Sequence, residues 1–240
     1  MRVAVVSDIH GNLHALEAVL ESIDQDAPDE IWCLGDLVGY GPRPNRCCAV
    51  VAERADACLI GNHDLAVLGR LDLEIFAPDA ALSAAWTAGI LEPEARAFLE
   101  AGEAKGEREG VGLFHASPRD PVWEYVLSPG VAYASLAATP QDLVLVGHSH
   151  VALSFGLANT TLATAAAGTE VALAADRWLL NPGSVGQPRD GDPTAAWLVL
   201  DLEAKQASFR RVAYDIAKTQ AEIRERGLPE ALAARIEHGV

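Results

Sequence analysis

Apolar and polar positions alternate in blocks along the first third of the chain. "RVAVVS" (residues 2–7) is a continuous apolar run of buried-strand length, and "LHALEAVLESI" (13–23) spaces its apolar residues as a helix does. "EIWCLG" (30–35) reads as a strand, "RCCAVVAER" (46–54) as a helix and "DACLIG" (56–61) as a third strand. Strand and helix in alternation predict right-handed βαβ units and a sheet that is parallel at least here. From about residue 70 to 105 the pattern turns alanine-rich and helical, with "EPEARAFLEAG" placing Pro near a helix start and Gly at its end. This segment is expected to be an inserted helical cap.

Beyond it, "VGLFHAS", "DLVLVGHSH", "ALSFGLA", "TEVALAADRWLLNPGS", "AAWLVLDLE" and "QASFRRVAY" are short apolar or alternating runs, many separated by turn residues. They predict a second sheet, largely antiparallel in its later hairpins. "DIAKTQAEIRERG" is an amphipathic helix, followed by a weaker helical stretch. No repeat or composition break marks a linker, so one domain over 1–240 is the economical reading.

Half of the residues are hydrophobic, enough for a substantial core, and the formal charge is −16. That charge argues against an extended nucleic-acid or anionic-membrane surface, while leaving room for a basic patch at one site. The N-terminal apolar run is too short for a signal peptide and no stretch is long enough to span a bilayer, so a cytoplasmic protein is expected. Cys33, Cys47, Cys48 and Cys58 fit neither a thiolate metal site nor a disulfide framework and read as reduced packing residues.

The chemistry gathers where the strands end. The first run exits into "SDIHGN" (Asp8, His10), the second into "GDLVGYG" (Asp36) and the third into "GNHD" (Asn62, His63, Asp64). Two later runs exit into His115 and into "GHSH" (His148, His150). Carboxyl ends of strands in an open α/β sheet face one crevice, so residues far apart in sequence can converge there. Four imidazoles, two carboxylates and one amide oxygen suit divalent or trivalent first-row metals. Seven ligands are too many for one tetrahedral ion and right for two ions sharing a carboxylate. Such a pair clamps a phosphoryl group and makes hydroxide available near neutral pH.

The ordered set "DIHGN", "GDLVGYG", "GNHD", "FHAS" and "GHSH" resembles the calcineurin-like metallophosphoesterase superfamily, and "NPGSVGQPRD" (181–190) resembles a loop of its small bacterial members. The resemblance implies an α/β/β/α sandwich of two mixed sheets flanked by helices, with the cap inserted. It implies that Asp8, His10, Asp36 and His150 hold one metal and that Asp36, Asn62, His115 and His148 hold the other. Manganese, iron or zinc are the expected ions. His63 would protonate the leaving group or stabilise its charge, with Asp64 orienting it.

Substrate contacts are expected from Asn12, Tyr40 and Arg189, although Asn12 also suits a helix cap and Arg189 a solvated loop. Trp123 and Tyr125 flank the ligand loops and offer stacking on a nucleobase, while His14 reads as surface or packing. Serine/threonine phosphatases of this superfamily carry arginines where Tyr40 and Ile60 stand here. Losing them removes charge-assisted contacts to a dianionic monoester and favours a diester or phosphoanhydride. The expected partner is thus a small phosphoester, nucleotides included. The competing readings are a protein phosphatase and a non-catalytic metal-binding interaction module of the same fold.

Overall fold

The computed structural model describes residues 1–173 and 176–240; Ala174 and Ala175, inside the apolar run expected over 169–184, lie outside the described residues. Strands β1 (Arg2–Val6), β2 (Glu30–Cys33) and β3 (Ala57–Cys58) pair in parallel, joined by α1 (Leu13–Asp26) and α2 (Pro44–Arg54). β1 alternates strictly. Val3 and Val5 enter the core between the two sheets, and Ala4 and Val6 enter the core under the helices. A strand buried on both faces has no polar side, which is why it reads as an unbroken apolar run.

The chain continues through α3 (Asn62–Val67), α4 (Pro78–Ile90) and α5 (Pro93–Glu100), then β4 (Lys105–Arg108) and β5 (Val111–Phe114). The segment from 70 to 105 therefore carries two helices and a 3₁₀ turn, and its last residue opens β4. Ala95 and Leu99 of α5 belong to the core beneath α1 and α2. After α6 (Pro129–Ala137) come β6 (Leu143–Leu145), β7 (Leu153–Gly156), β8 (Thr161–Thr164), β9 (Glu170–Ala172), β10 (Trp178–Asn181), β11 (Ala195–Asp201) and β12 (Gln206–Val212). Helices α7 (Ile216–Glu225) and α8 (Glu230–Arg235) close the chain.

The sheets run β3-β2-β1-β11-β12-β9 and β4-β5-β6-β10-β7-β8, both mixed. In one respect the pattern misled: β9, β11 and β12 join the first sheet, where a second sheet was expected to hold all the later strands. β11 is buried along both faces and lies antiparallel to β1, with Val3 opposite Leu200 and Val5 opposite Leu198. Its wholly apolar run needs a central position, and the middle of the first sheet supplies one. Leu145 and Leu180 of the second sheet meet Leu198 and Phe209 of the first, while Val144, Val146 and Leu179 turn outward to α6. The layers are α/β/β/α.

Candidate metal centre

The loops that leave β1, β2, β3, β5 and β6 meet at one end of the two sheets, and their polar side chains are almost wholly buried. Asp8, His10, Asp36, Asn62, His63, Asp64, His115, His148 and His150 are each at most 4% exposed. One ligand atom each from Asp8, His10, Asp36 and His150 lie within 4.8 Å of one another, and so do atoms of Asp36, His115 and His148. Asn62 joins the second group, its Oδ1 3.2 Å from His115 Nε2. Asp36 belongs to both.

Local backbone geometry makes this convergence possible. Asp8, His10, Asp36, His148 and His150 all have left-handed φ, between 50° and 62°. Such conformations cost a non-glycine residue of order 1–3 kcal/mol, and their clustering at one place is a mark of function. They turn Asp8 and His10, and likewise His148 and His150, toward one centre, where an extended strand would send i and i+2 outward along one face.

The imidazoles are fixed from behind. His10 Nδ1 lies 3.0 Å from the Val38 carbonyl, His115 Nδ1 3.0 Å from that of Leu34, and His150 Nδ1 2.6 Å from that of Gln187. A carbonyl only accepts, so each Nδ1 carries the proton and each Nε2 presents a lone pair to the centre. His10 Nε2 and His150 Nε2 then face each other at 3.1 Å with no proton between them. Asp36 Oδ2 and His148 Nε2 are buried with no hydrogen-bond partner. Unpaired lone pairs and a carboxylate oxygen converging in a buried space are costly unless a cation sits among them, so the residues present fit a metal pair.

Burial sets the charges. It pushes Asp8 up to about 7 and Asp36 well above the carboxylate range, and it holds His10 and His150 well below 6.5. Burial, then the neighbouring His115, takes His148 down to about 2. His10, His148 and His150 are neutral, the form that ligates.

His63 is the second residue of α3, and its main-chain N–H donates to Asp36 Oδ1 at 2.9 Å. Its ring Nδ1 is buried without a partner, and burial together with Arg189 lowers it to about 3. The ring is therefore neutral at rest, not poised near working pH. Asp64, expected to orient it, does not reach the ring. Its oxygens accept from the amides of Leu37 (3.2 Å), Val38 (3.0 Å) and Gly61 (2.9 Å), because a carboxylate in the first turn of a helix faces main-chain donors. Asp64 thereby ties the Asp36 loop to the His63 loop. Gly39, at φ +82°, makes room: a Cβ there would lie 2.6 Å from His63 Nδ1.

Asn12 caps α1 through the Ala15 amide (3.3 Å), donates to the Gly186 carbonyl (2.9 Å) and Tyr214 Oη (3.2 Å), and accepts from Thr219 (3.0 Å). All its polar atoms are engaged within the fold. Tyr40 packs on His10 and His63, with ring centroids 4.7 and 4.4 Å apart, and Arg189 lies 5.8 Å over its face. Tyr125 stacks on His148 at 4.1 Å, and Phe76 links Trp123 (5.1 Å) to His63 (5.4 Å). Ile60 is core, at 3% exposed. His14 pairs with Glu222, as a packing residue would.

Several supporting residues escape a search for ligand types. Asn181, at the end of β10, donates to the Gly147 carbonyl (2.7 Å) and Ser149 (3.0 Å), bracing "GHSH". Ser184 donates to the Asp8 carbonyl at 2.7 Å. Phe76 lies in the segment from 70 to 105, which contains no histidine or cysteine. For the first two, the signal was a strand running into buried polar residues inside "NPGSVGQPRD".

The model of the calcineurin-like phosphoesterase superfamily domain matches residues 1–205. An uncharacterized protein of Methanocaldococcus jannaschii is 36% identical over 242 residues, 98% of this chain and 96% of its own. The crystal structure of a metallophosphoesterase from Sphaerobacter thermophilus matches with TM-score 0.92 and 40% identity, covering 100% of this chain and 99% of that one. Phosphodiesterase YfcE of Escherichia coli is 29% identical over 208 residues, 84% of this chain and 88% of its own. Because the family match runs through every strand exit that contributes to the buried cluster, the chain belongs to the calcineurin-like phosphoesterase superfamily and is a metal-dependent phosphoric ester hydrolase.

Proposed function

We propose that the enzyme hydrolyses phosphodiester or phosphoanhydride bonds of small phosphoesters, nucleotides included, using two metal ions. Asp8, His10, Asp36 and His150 hold one ion and Asp36, Asn62, His115 and His148 the other. The observation that carries this reading is Asp36 Oδ2, buried without a partner, 3.6 Å from His10 Nε2 and 3.5 Å from His115 Nε2, one imidazole of each group. When bound there, manganese, iron or zinc would polarise the phosphoryl oxygens and make hydroxide available near neutral pH.

The chain's own residues do the rest. Val38, Leu34 and Gln187 carbonyls fix the imidazole tautomers, and Asp64 holds two ligand loops at one spacing. His63 presents its unpartnered ring to the leaving oxygen, where it donates a hydrogen bond and steadies the developing charge. Arg189, which donates to Gln187 Oε1 at 2.8 Å, keeps further N–H groups for a substrate oxygen. Trp123, Tyr125 and Phe76 form an apolar wall that suits an aromatic leaving group or a base. Asn12 serves the scaffold.

The buried, apolar Ile60 supports the diester or anhydride reading over a protein phosphatase, since it cannot replace an arginine that grips a dianionic monoester. Metal analysis of the purified protein, with a panel of mono-, di- and dinucleoside-polyphosphate substrates, tests the proposal. Two ions per chain with diester or anhydride turnover supports it; monoester turnover alone would overturn the substrate assignment.

A further inference from the structure

Eighteen lysines and arginines stand against thirty-four acidic residues, and nearly every basic side chain that is not fully exposed has an Asp or Glu partner. Among the described residues, Arg189 and Arg235 are the partly buried basic side chains with no Asp or Glu oxygen within 4.0 Å. Both flank Tyr40. Partial burial of two cations around one ring, with no Asp or Glu carboxylate against either, is unfavourable unless an anion joins them.

Arg235 ends α8 and lines a cleft of about 310 Å³ whose other walls are Tyr40, Leu232 and the first turn of α4, from Ala77 to Ala80. α4 is thirteen residues long, and its N-cap, Ala77, has no side chain to satisfy the first amides. Its positive end therefore faces the same cleft. Tyr40 is the partition: one side of its surroundings is His10 and His63, the other is the cleft. Burial and the like charge of Arg189 hold Arg235 below its ordinary value, and Tyr40, Asp79 and Tyr125 act against that. Two acceptors compete for the cations. Asp79 sits in the first turn of α4, and Arg235 Nε donates to the Val240 carbonyl oxygen at 2.6 Å, which leaves the Nη groups free.

We infer that this cleft is an anion subsite, in which Arg235, aided by the α4 N-terminus and by Arg189 across Tyr40, receives a second phosphate of a substrate whose first phosphorus is attacked at the metal centre. The inference rests on the proposed phosphoesterase reading and narrows it: the favoured substrates carry an anionic group beyond the scissile phosphorus, as nucleoside di- and polyphosphates do. Arg235 is contributed by α8, which lies beyond the residues matched by the family model, so this selectivity is built by the C-terminal helices.

Calorimetric titration of the metal-loaded enzyme with adenosine monophosphate and with α,β-methylene adenosine diphosphate reads the subsite without turnover. The second phosphate should strengthen binding, and Arg235→Gln should cut that advantage about tenfold, the worth of a charge-assisted contact. Arg235→Lys should keep part of the advantage, and Asp79→Asn should enlarge it. Lys205→Gln, on the exposed turn between β11 and β12 at the opposite end of the first sheet, controls for net charge. Equal weakening of both ligands by Arg235→Gln, or no change in their ratio, would overturn the subsite. So would removal of Gly239 and Val240 reproducing the Arg235→Gln effect, since Arg235 would then only tether the chain end. The parent reading fails separately: a protein that shows the affinity difference but hydrolyses neither bis(p-nitrophenyl) phosphate nor a dinucleoside polyphosphate keeps the subsite and loses the proposed reaction.

Discussion

Asp36 divides its carboxylate between two duties, accepting the His63 main-chain N–H through Oδ1 at 2.9 Å and leaving Oδ2 buried and unpartnered between His10 and His115. The first bond sets where α3 starts, and the second oxygen is where the two ligand groups touch. One residue thus couples the metal centre to the loop that carries His63.

Asp36→Asn should consequently lower metal content at both positions together, while Asn62→Ala should weaken only the group containing His115 and His148. In the metal-free protein the same Asp36→Asn change should raise the melting temperature, because it removes a carboxyl that burial disfavours. The gain is about 2–4 °C for each kcal/mol relieved in a chain of this size. Elemental analysis and thermal unfolding, each with and without metal, check the pair of outcomes. Loss of one ion with the other fully retained would remove Asp36 from the shared position.

Support from behind the ligands should matter nearly as much. Asn181→Ala removes the donors to Gly147 and Ser149 and should weaken metal binding by about 10–100-fold, the range for groups that orient ligands. Titration with manganese or zinc measures it. An unchanged affinity would mean that "GHSH" keeps its left-handed turns unaided.

Much of this was legible in the sequence, because buried strands read as apolar runs and metal chemistry confines ligands to a few residue types. Runs ending in Asp8, Asp36, Asn62, His115 and His148 mark five loops that the two sheets bring to one end. The left-handed φ of Asp8, His10, Asp36, His148 and His150 was not legible, since only packing around the centre can hold residues there. Nor was the place of β11, whose apolar run suits a central strand of either sheet. Arg235 was not legible as a neighbour of Tyr40, nor Glu222 as the partner of Arg43 and His14, because α7 and α8 return to α1 and Tyr40 only through tertiary contacts.

Glu222 gives the acid dependence a definite sign. Its bidentate pairing with Arg43, at 2.6 and 2.7 Å, lowers its carboxyl from 4.5 to about 2, with His14 assisting. A depressed folded pKa contributes stability that is fully present above the unfolded value and is lost as pH falls from about 4.5 toward 2. The melting-temperature difference between the parent and Glu222→Gln should therefore be largest above pH 5 and shrink through that window. A difference independent of pH would show that packing, not the charge, is what α7 gains from Glu222.

The role of His63 separates from metal binding because the Asp36 bond uses its main chain and not its ring. His63→Ala should leave two ions bound and the fold intact, while turnover falls by about 10²–10³-fold, as for loss of one donor to developing charge. The ring is neutral at rest, so its service is an N–H aimed at the leaving oxygen, and that service grows with the charge the oxygen must carry. The loss should accordingly be larger for alkyl esters and smaller for bis(p-nitrophenyl) phosphate, whose nitrophenolate leaves unaided. Gly39→Ala gives an independent check. Its new Cβ would stand 2.6 Å from His63 Nδ1 and meet an unfavourable φ of +82°, so it should displace the ring and reproduce the same leaving-group trend with metals retained. An equal rate loss across good and poor leaving groups in both variants would instead make His63 a residue that positions substrate, with the metal centre alone bearing the departure of the leaving group.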